Sequence, residues 1–349
     1  MTVIQTSKSL ELKPVRDSVP MIFFKSQFLS WPKWAPKDTD LSGQTAILTG
    51  GTTGIGHECA RQLLSLKLSH LILGVRSPER GEAVAVAFRK SYPDATIEVW
   101  SLEMESYDSV QAFARRVDET LKRLDIAILN AGLVAREFRK VPSTGHESTI
   151  QVNYLSTMLL AVLLLPTLKS KHAPGRPGRL TIVNSGTSLY AKFPNHKERP
   201  LLKSFDDTSI LPWDMEERYW SSKLIGQLFL IKLFPYVDPD DVIVNMVDPG
   251  LVRGTGLHRD FDGLLGRILT FVKALSGRSL AAGASTYIDA AVLRGKESHG
   301  CSFQDWKIFP FAAFAYTPEG RETTEVLWEE TLDEFKFANA REILESLAK

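Results

Sequence analysis

Short apolar runs alternate with longer stretches of helical period along most of this chain of 349 residues. Runs near 45–49, 70–75, 97–102, 126–130, 180–185 and 242–247 read as buried strands, and one near 306–309 joins them. Between them, apolar residues recur at helical spacing near 56–66, 79–90, 107–122, 147–169, 217–233, 278–293 and 319–330, which predicts helices. Strand–helix alternation of this kind implies a parallel sheet with right-handed crossovers and helices on both faces. The loop Pro174-Gly175-Arg176-Pro177-Gly178 falls inside this alternation and does not divide the chain. The expectation is one α/β domain over residues 41–349, with a doubly wound parallel sheet, preceded by an N-terminal arm of residues 1–40.

Two apolar stretches raise the question of a membrane. Met158–Leu165 is broken by Pro166 and Lys169 and falls short of the roughly twenty apolar residues that a span needs. It is expected to pack in the core or on a dimer face, which leaves a homo-oligomer open. Met21–Leu29, with Phe23, Phe24, Phe28 and the nearby Trp31, contains Lys25 and Gln27 and lacks a small-residue cleavage site. It is not a secretory signal. Docking of these aromatic residues on the main body is preferred to a membrane-surface anchor, and membrane association is not expected.

Candidate chemistry begins at Thr49-Gly50-Gly51-Thr52-Thr53-Gly54-Ile55-Gly56, between the first strand and the first helix of the domain. Glycines there let the backbone approach a pyrophosphate, and free N–H groups at a helix start favour negative charge. Gly50, Thr52, Thr53, Gly54, Ile55 and Gly56 are the expected cradle. The second strand ends in Arg76, where an acidic residue would accept from a ribose 2′-OH and an Arg accommodates a 2′-phosphate. Arg76 therefore points to NADP(H). Farther along, Tyr219-Trp220-Ser221-Ser222-Lys223 places a phenol and an ammonium on one helix face. The phenol's ordinary pKa near 10 is too high for proton transfer at neutral pH, and a neighbouring Lys⁺ is expected to pull it down. Ser185, at the end of a buried strand, can orient a carbonyl, and Asn153 opens the most apolar helix.

With these motifs in order, the chain resembles the short-chain dehydrogenase/reductase family over residues 41–349, whose sheet is of the Rossmann type. The glycine pattern matches at Thr49–Gly56, the strand-4 motif at Asn130-Ala131-Gly132, and the motif after strand 6 at Asp248-Pro249-Gly250. The resemblance implies a tetrad of Asn153, Ser185, Tyr219 and Lys223. In it Tyr219 exchanges the proton, Lys223 also binds the nicotinamide ribose, Ser185 holds the substrate oxygen and Asn153 orders a relay water. It further implies cofactor contacts from Glu103, where the family usually has Asp, from Asn130, Ala131, Gly132, Pro249 and Gly250, and from Val252 and Thr255 near the carboxamide. The chain is most similar to the retinol-dehydrogenase-like members of fungal specialised metabolism, through Phe28–Asp40 before Leu41-Ser42-Gly43 and through Gly254–Asp260. Tyr190–Arg218 is longer than in compact members and should wall the substrate pocket, with Phe193, Leu201, Leu202, Phe205 and Trp213 either lining it or pinning the loop. Leu257–Leu280 should cap the pocket.

The implied function is an NADP(H)-dependent carbonyl reductase or alcohol dehydrogenase for a bulky hydrophobic substrate. The alternatives are a redox-neutral reaction on the same tetrad, and a nucleotide-sensing regulator without turnover. A net charge of +1 gives no electrostatic footprint for nucleic acid. The two cysteines, Cys59 and Cys301, fit a reducing cytoplasm best. No metal is expected: seven histidines show no ligand spacing, and after His57-Glu58 the second His of a zincin is replaced by Arg61.

Overall fold

The computed structural model describes residues 6–255 and 276–348. Among these residues the sheet has eight strands in the order β3-β2-β1-β4-β5-β6-β7-β8: β1 Thr45–Thr49, β2 His70–Val75, β3 Thr96–Ser101, β4 Ile126–Leu129, β5 Gly178–Val183, β6 Val242–Asp248, β7 Ser302–Gln304 and β8 Lys307–Phe309. All neighbours pair in parallel except β7 and β8. Strands buried on both faces read as continuous apolar runs, which is why β1 and β4–β6 were visible in the sequence. One apolar layer packs beneath helices Tyr107–Thr120, Thr157–Lys171, Met215–Leu233 and Pro318–Glu334. The other packs beneath Gly54–Ser65, Pro78–Ser91 and Leu280–Ile288. The doubly wound α/β fold expected from the sequence is the fold observed. Ser148–Lys171 is long and apolar enough to cross a membrane, and it lies buried in the first layer.

Three local departures bear on the site. The expected single strand near 306–309 is instead a tight hairpin, β7–β8, turning at Asp305 and Trp306 with φ of 56° and 57°. That is the twist a two-residue hairpin needs, reached here without glycine. The helix expected over 147–169 contains a π-helical turn at Gln151–Ser156, and Asn153 sits in it. Such bulges frequently mark functional sites. Third, the arm contains a helix, Val19–Phe28, whose Ile22 and Ser26 are buried. Phe24 and Phe28 are each 49% exposed and Trp31 is 81% exposed, so the docking expectation is corrected for these three, whereas Phe23 is half-buried against the body. Polar groups do much of the docking: Ser7 Oγ donates to Gly300 O at 2.6 Å, and Ser302 N donates to Ser9 Oγ at 2.9 Å.

The 190–218 insertion is pinned from beneath. Phe193, Leu201, Leu202 and Phe205 are core residues, and Trp213 packs edge-on to Phe138 at 6.0 Å, so none of the five lines the cleft. Glu217 accepts from the backbone N–H of Lys192 and Phe193, both at 3.0 Å, which satisfies two donors of the insertion's turn. Asp206 of the insertion meets His146 Nδ1 at 2.8 Å, and Glu334 lies 3.2 Å from Nε2. Burial works against the charged imidazole, but the two carboxylates outweigh it and push His146 up to about 9. A raised folded-state pKa stabilises most fully below the ordinary 6.5 and loses that contribution as pH rises through 9. The melting temperature should therefore fall across this window, and in His146→Gln that part of the slope should be absent in thermal scans at stepped pH.

Candidate active site

The strand order reverses at β1, which has β2 on one side and β4 on the other. In open α/β sheets ligands bind outside the carboxyl ends of the strands at such a point. A cleft of about 1010 Å³ opens there. Every residue the sequence assigned a catalytic or cofactor-binding role lines it except Asn153, which lies just behind the wall.

At the near end, helix Gly54–Ser65 starts at Gly54, whose φ of 61° is the left-handed region that glycine tolerates. Thr53 makes no side-chain capping bond, so the first N–H groups of the helix are left for an anion. At Gly56 any side chain would collide, since a Cβ would sit 2.5 Å from Gly50 O. Thr49 Oγ1 accepts from the backbone N–H of Asn130 and Ala131 at 2.9 Å each. The Asn130 amide donates to Thr49 O at 2.8 Å and accepts from Tyr287 OH at 3.0 Å. Asn130 thus spends its side chain fixing the turn, and offers the cleft its backbone.

The ends of β2 and β3 form the far side. Arg76 is exposed on the cleft, and so is Arg80, one helical turn on. Neither side chain has an ion pair or hydrogen bond among the described residues. Sequence reasoning missed Arg80, although its four-residue spacing from Arg76 across the Ser77 cap was the available signal. Glu103 follows β3, and its carboxylate accepts from Glu105 N at 3.1 Å.

The reacting end is built from three elements. Asp214 caps helix Met215–Leu233 by accepting from Glu216 N and Glu217 N, and the helix carries Tyr219 and Lys223 on one face. Ser185 leaves β5, and Thr187 Oγ1 donates to its Oγ at 3.0 Å. Lys223 Nζ donates to Val183 O at 3.1 Å. Asn153 Oδ1 accepts from Leu133 N at 2.9 Å, and its Nδ2 donates to Leu133 O and Ser222 Oγ at 2.8 and 3.1 Å. A Cβ at Gly132 would lie 3.1 Å from Asn153 Oδ1 and 3.9 Å from Lys223 Nζ, so this glycine sits where the two side chains converge.

Electrostatics at this end differ from the sequence expectation. Burial pushes the Tyr219 phenol up to about 12; Ser185 lowers it in part, and the Asp248 carboxylate raises it. Burial also pushes Lys223 down to about 8, partly offset by Asp248. Lys223 Nζ stands 5.8 Å from the Tyr219 ring centroid, too far to overcome the desolvation of the phenol in this state. Asp248 itself is pushed up to about 6 by burial, against the N–H groups of Gly250 and Gly186. The sequence offered Asp248 only as the first residue of a motif, and its charge between the two loops went unread. Asn184, on the cleft, adds a buried Nδ2 without a partner among the described residues.

An uncapped helix start, two unpaired guanidinium groups, an acceptor at Glu103 and an orphaned amide donor make a donor set that fits a dinucleotide. Among the described residues no three His, Cys, Asp or Glu gather to hold a metal ion. Tyr190, Met215 and Trp220 complete the apolar lining beside the reacting groups.

A switch-point dinucleotide cleft with Ser, Tyr and Lys converging at one end defines a Rossmann-type oxidoreductase. The chain belongs to the short-chain dehydrogenase/reductase family. The family model "short chain dehydrogenase" matches residues 44–195. A short chain dehydrogenase/reductase of Annulohypoxylon moriforme, mfmJ, is 55% identical over 97% of this chain and 98% of its own length. The short chain dehydrogenase virL of Hypocrea virens is 41% identical over 98% and 99%. Among solved structures, L-sorbose reductase from Gluconobacter frateurii, complexed with NADPH and L-sorbose, aligns with a TM-score of 0.57 at 18% identity, covering 79% of this chain and 97% of that one. At that identity the likeness shows the fold.

Proposed function

We propose that this protein is an NADP(H)-dependent carbonyl reductase or alcohol dehydrogenase for a bulky apolar ketone or secondary alcohol of specialised metabolism, working in the cytoplasm. One observation carries the reading: Ser185, Tyr219 and Lys223 converge at one end of a single cleft whose other end holds the unpaired Arg76 and Arg80. In this reading the glycine turn and the start of helix Gly54–Ser65 hold the pyrophosphate, and Arg76 and Arg80 hold the 2′-phosphate. Glu103 meets the adenine, while Gly132, Pro249, Gly250, Val252 and Thr255 enclose the nicotinamide. Thr255 Oγ1 donates to Val252 O at 3.2 Å, which ties the last two together. NADPH supplies the two electrons of the reduction.

The chain's own groups handle the oxygen and its proton. Thr187 donates to Ser185, so the Ser185 proton, which faces the Tyr219 phenol, can turn to the substrate oxygen. Tyr219 then delivers its proton to that oxygen. Burial keeps the phenol protonated at neutral pH, as a proton donor must be, and the charge of Lys223 has to offset that burial as the proton leaves. Lys223, near 8 before ligands bind, is mostly charged at neutral pH and steadies the phenolate as it forms. Asn153, fixed by Leu133 and Ser222, orders a water that returns a proton through Lys223. The test is a panel of hydrophobic ketones with NADPH loss and product mass followed together. The reading expects one NADPH consumed per alcohol formed; product without cofactor loss would replace it by redox-neutral chemistry.

A further inference from the structure

We propose that helix Val19–Phe28 is a wall of the substrate site, with Ile22 and Phe23 as specificity-determining residues and Arg278 as the positioning residue that holds them there. This rests on the reductase reading for the nature of the ligand, an apolar carbonyl compound of aromatic size. The helix divides its inward face between two tasks. Ser26 and Gln27 spend their polar atoms on the body, whereas Ile22 and Phe23, one turn earlier, line the cleft with apolar surface. Residues i and i+4 share a helix face, so anchoring the first pair sets the second.

The anchor is a buried hub 252 residues away in sequence. Arg278 donates to Ser26 O at 2.9 Å, to Pro249 O at 3.1 Å and to the Asp305 carboxylate, and its guanidinium stacks 4.7 Å over Trp306. Ser26 Oγ donates to Asp305 at 2.8 Å. In its satisfied orientation the Gln27 amide accepts from Leu251 N at 3.1 Å and donates to Leu251 O at 3.2 Å. Asp305 and Trp306 both hold left-handed backbone, a cost that persists only where the surroundings over-determine it. Here the surroundings are Arg278 and the arm helix.

This hub grips Pro249–Leu251, directly after Asp248, whose charge reaches both Tyr219 and Lys223. The arm helix therefore stands at the reacting end of the cleft and not at the Arg76 end. Its loss should alter substrate use and spare the 2′-phosphate contacts. The expected capping segment, Leu257–Leu280, falls largely outside the described residues, and the arm is the described apolar wall at this end that the sequence did not anticipate.

The test compares acetone, acetophenone and benzophenone as substrates of the full-length chain. Burying an aromatic ring against Phe23 is worth tenfold or more, so Phe23→Ala should lower kcat/KM for benzophenone by about tenfold and for acetone by less than about twofold. Arg278→Lys should move the same ratio in the same direction, and NADPH affinity by fluorescence titration should stay within about threefold in Phe23→Ala. Equal losses on all ketones, or none, would overturn the proposal. A second readout needs no turnover: benzophenone photolabelling of the NADP⁺ complex, mapped on the tryptic peptide Asp17–Lys25. Label on Ile22 or Phe23 supports the wall even if no ketone is reduced, in which case only the reductase reading fails. Label confined to other segments overturns the wall.

Discussion

Replacing Tyr219 by Phe is expected to cut ketone turnover by about 10²–10⁴-fold, the usual contribution of a positioned general acid. The ring keeps its place on helix Met215–Leu233, and only the hydroxyl beside Ser185 is lost. Lys223 and the glycine turn remain, so NADPH affinity should change by less than about tenfold, or 1.4 kcal/mol. Lys223→Met should reduce both quantities, since in the proposed reading it removes the ribose contact and the charge that steadies the phenolate. The ammonium of the wild type, near 8, also gives a pH dependence with a definite sign: NADPH affinity should weaken as pH rises past 8, and the Met variant should lack that limb. Near-normal turnover in Tyr219→Phe would mean that the proton comes from another group.

Arg76→Asp should weaken NADPH binding by about ten- to a hundredfold and NADH binding little, because a charge-assisted contact is worth roughly 1.5–3 kcal/mol. The structure adds a reason for the smaller end of that range: Arg80 lines the same end of the cleft and keeps part of the positive field in the single variant. The double variant Arg76→Asp, Arg80→Ala should therefore lose more than the single one. Titration of both cofactors against both variants checks this. Equal loss of NADH and NADPH would reduce Arg76 to a surface residue.

Much of this was legible in the sequence because the signals are local. Parallel strands buried on both faces leave apolar runs, and the turn leaves glycines at Gly54, where φ is left-handed, and at Gly56, where a Cβ would collide. The Tyr219–Lys223 spacing likewise follows from one helix. What stayed hidden depends on distant contacts. Three-residue strands such as β7 are too short to show a period, and the turn at Asp305-Trp306 lacks the glycine that usually announces a hairpin. That the arm would reach the cleft stayed hidden because nothing near Ser26 reports that Arg278 will meet it. Arg278 itself was read as a helix start; it is bridged to Val252 instead. The apolar residues of the insertion could line the pocket or pin the loop on sequence alone, and they go to the core where Glu217 and Asp206 fix the backbone. The Tyr219 pKa was misjudged because spacing along a helix says nothing of burial, which governs both members of the pair.

The most direct test of the central claim is isotopic. With NADPH deuterated at both C4 positions and a ketone that the enzyme accepts, the account predicts an alcohol heavier by about one mass unit, with the deuterium on the carbinol carbon and one cofactor oxidised per product. A product without deuterium, formed while the cofactor stays reduced, would contradict it.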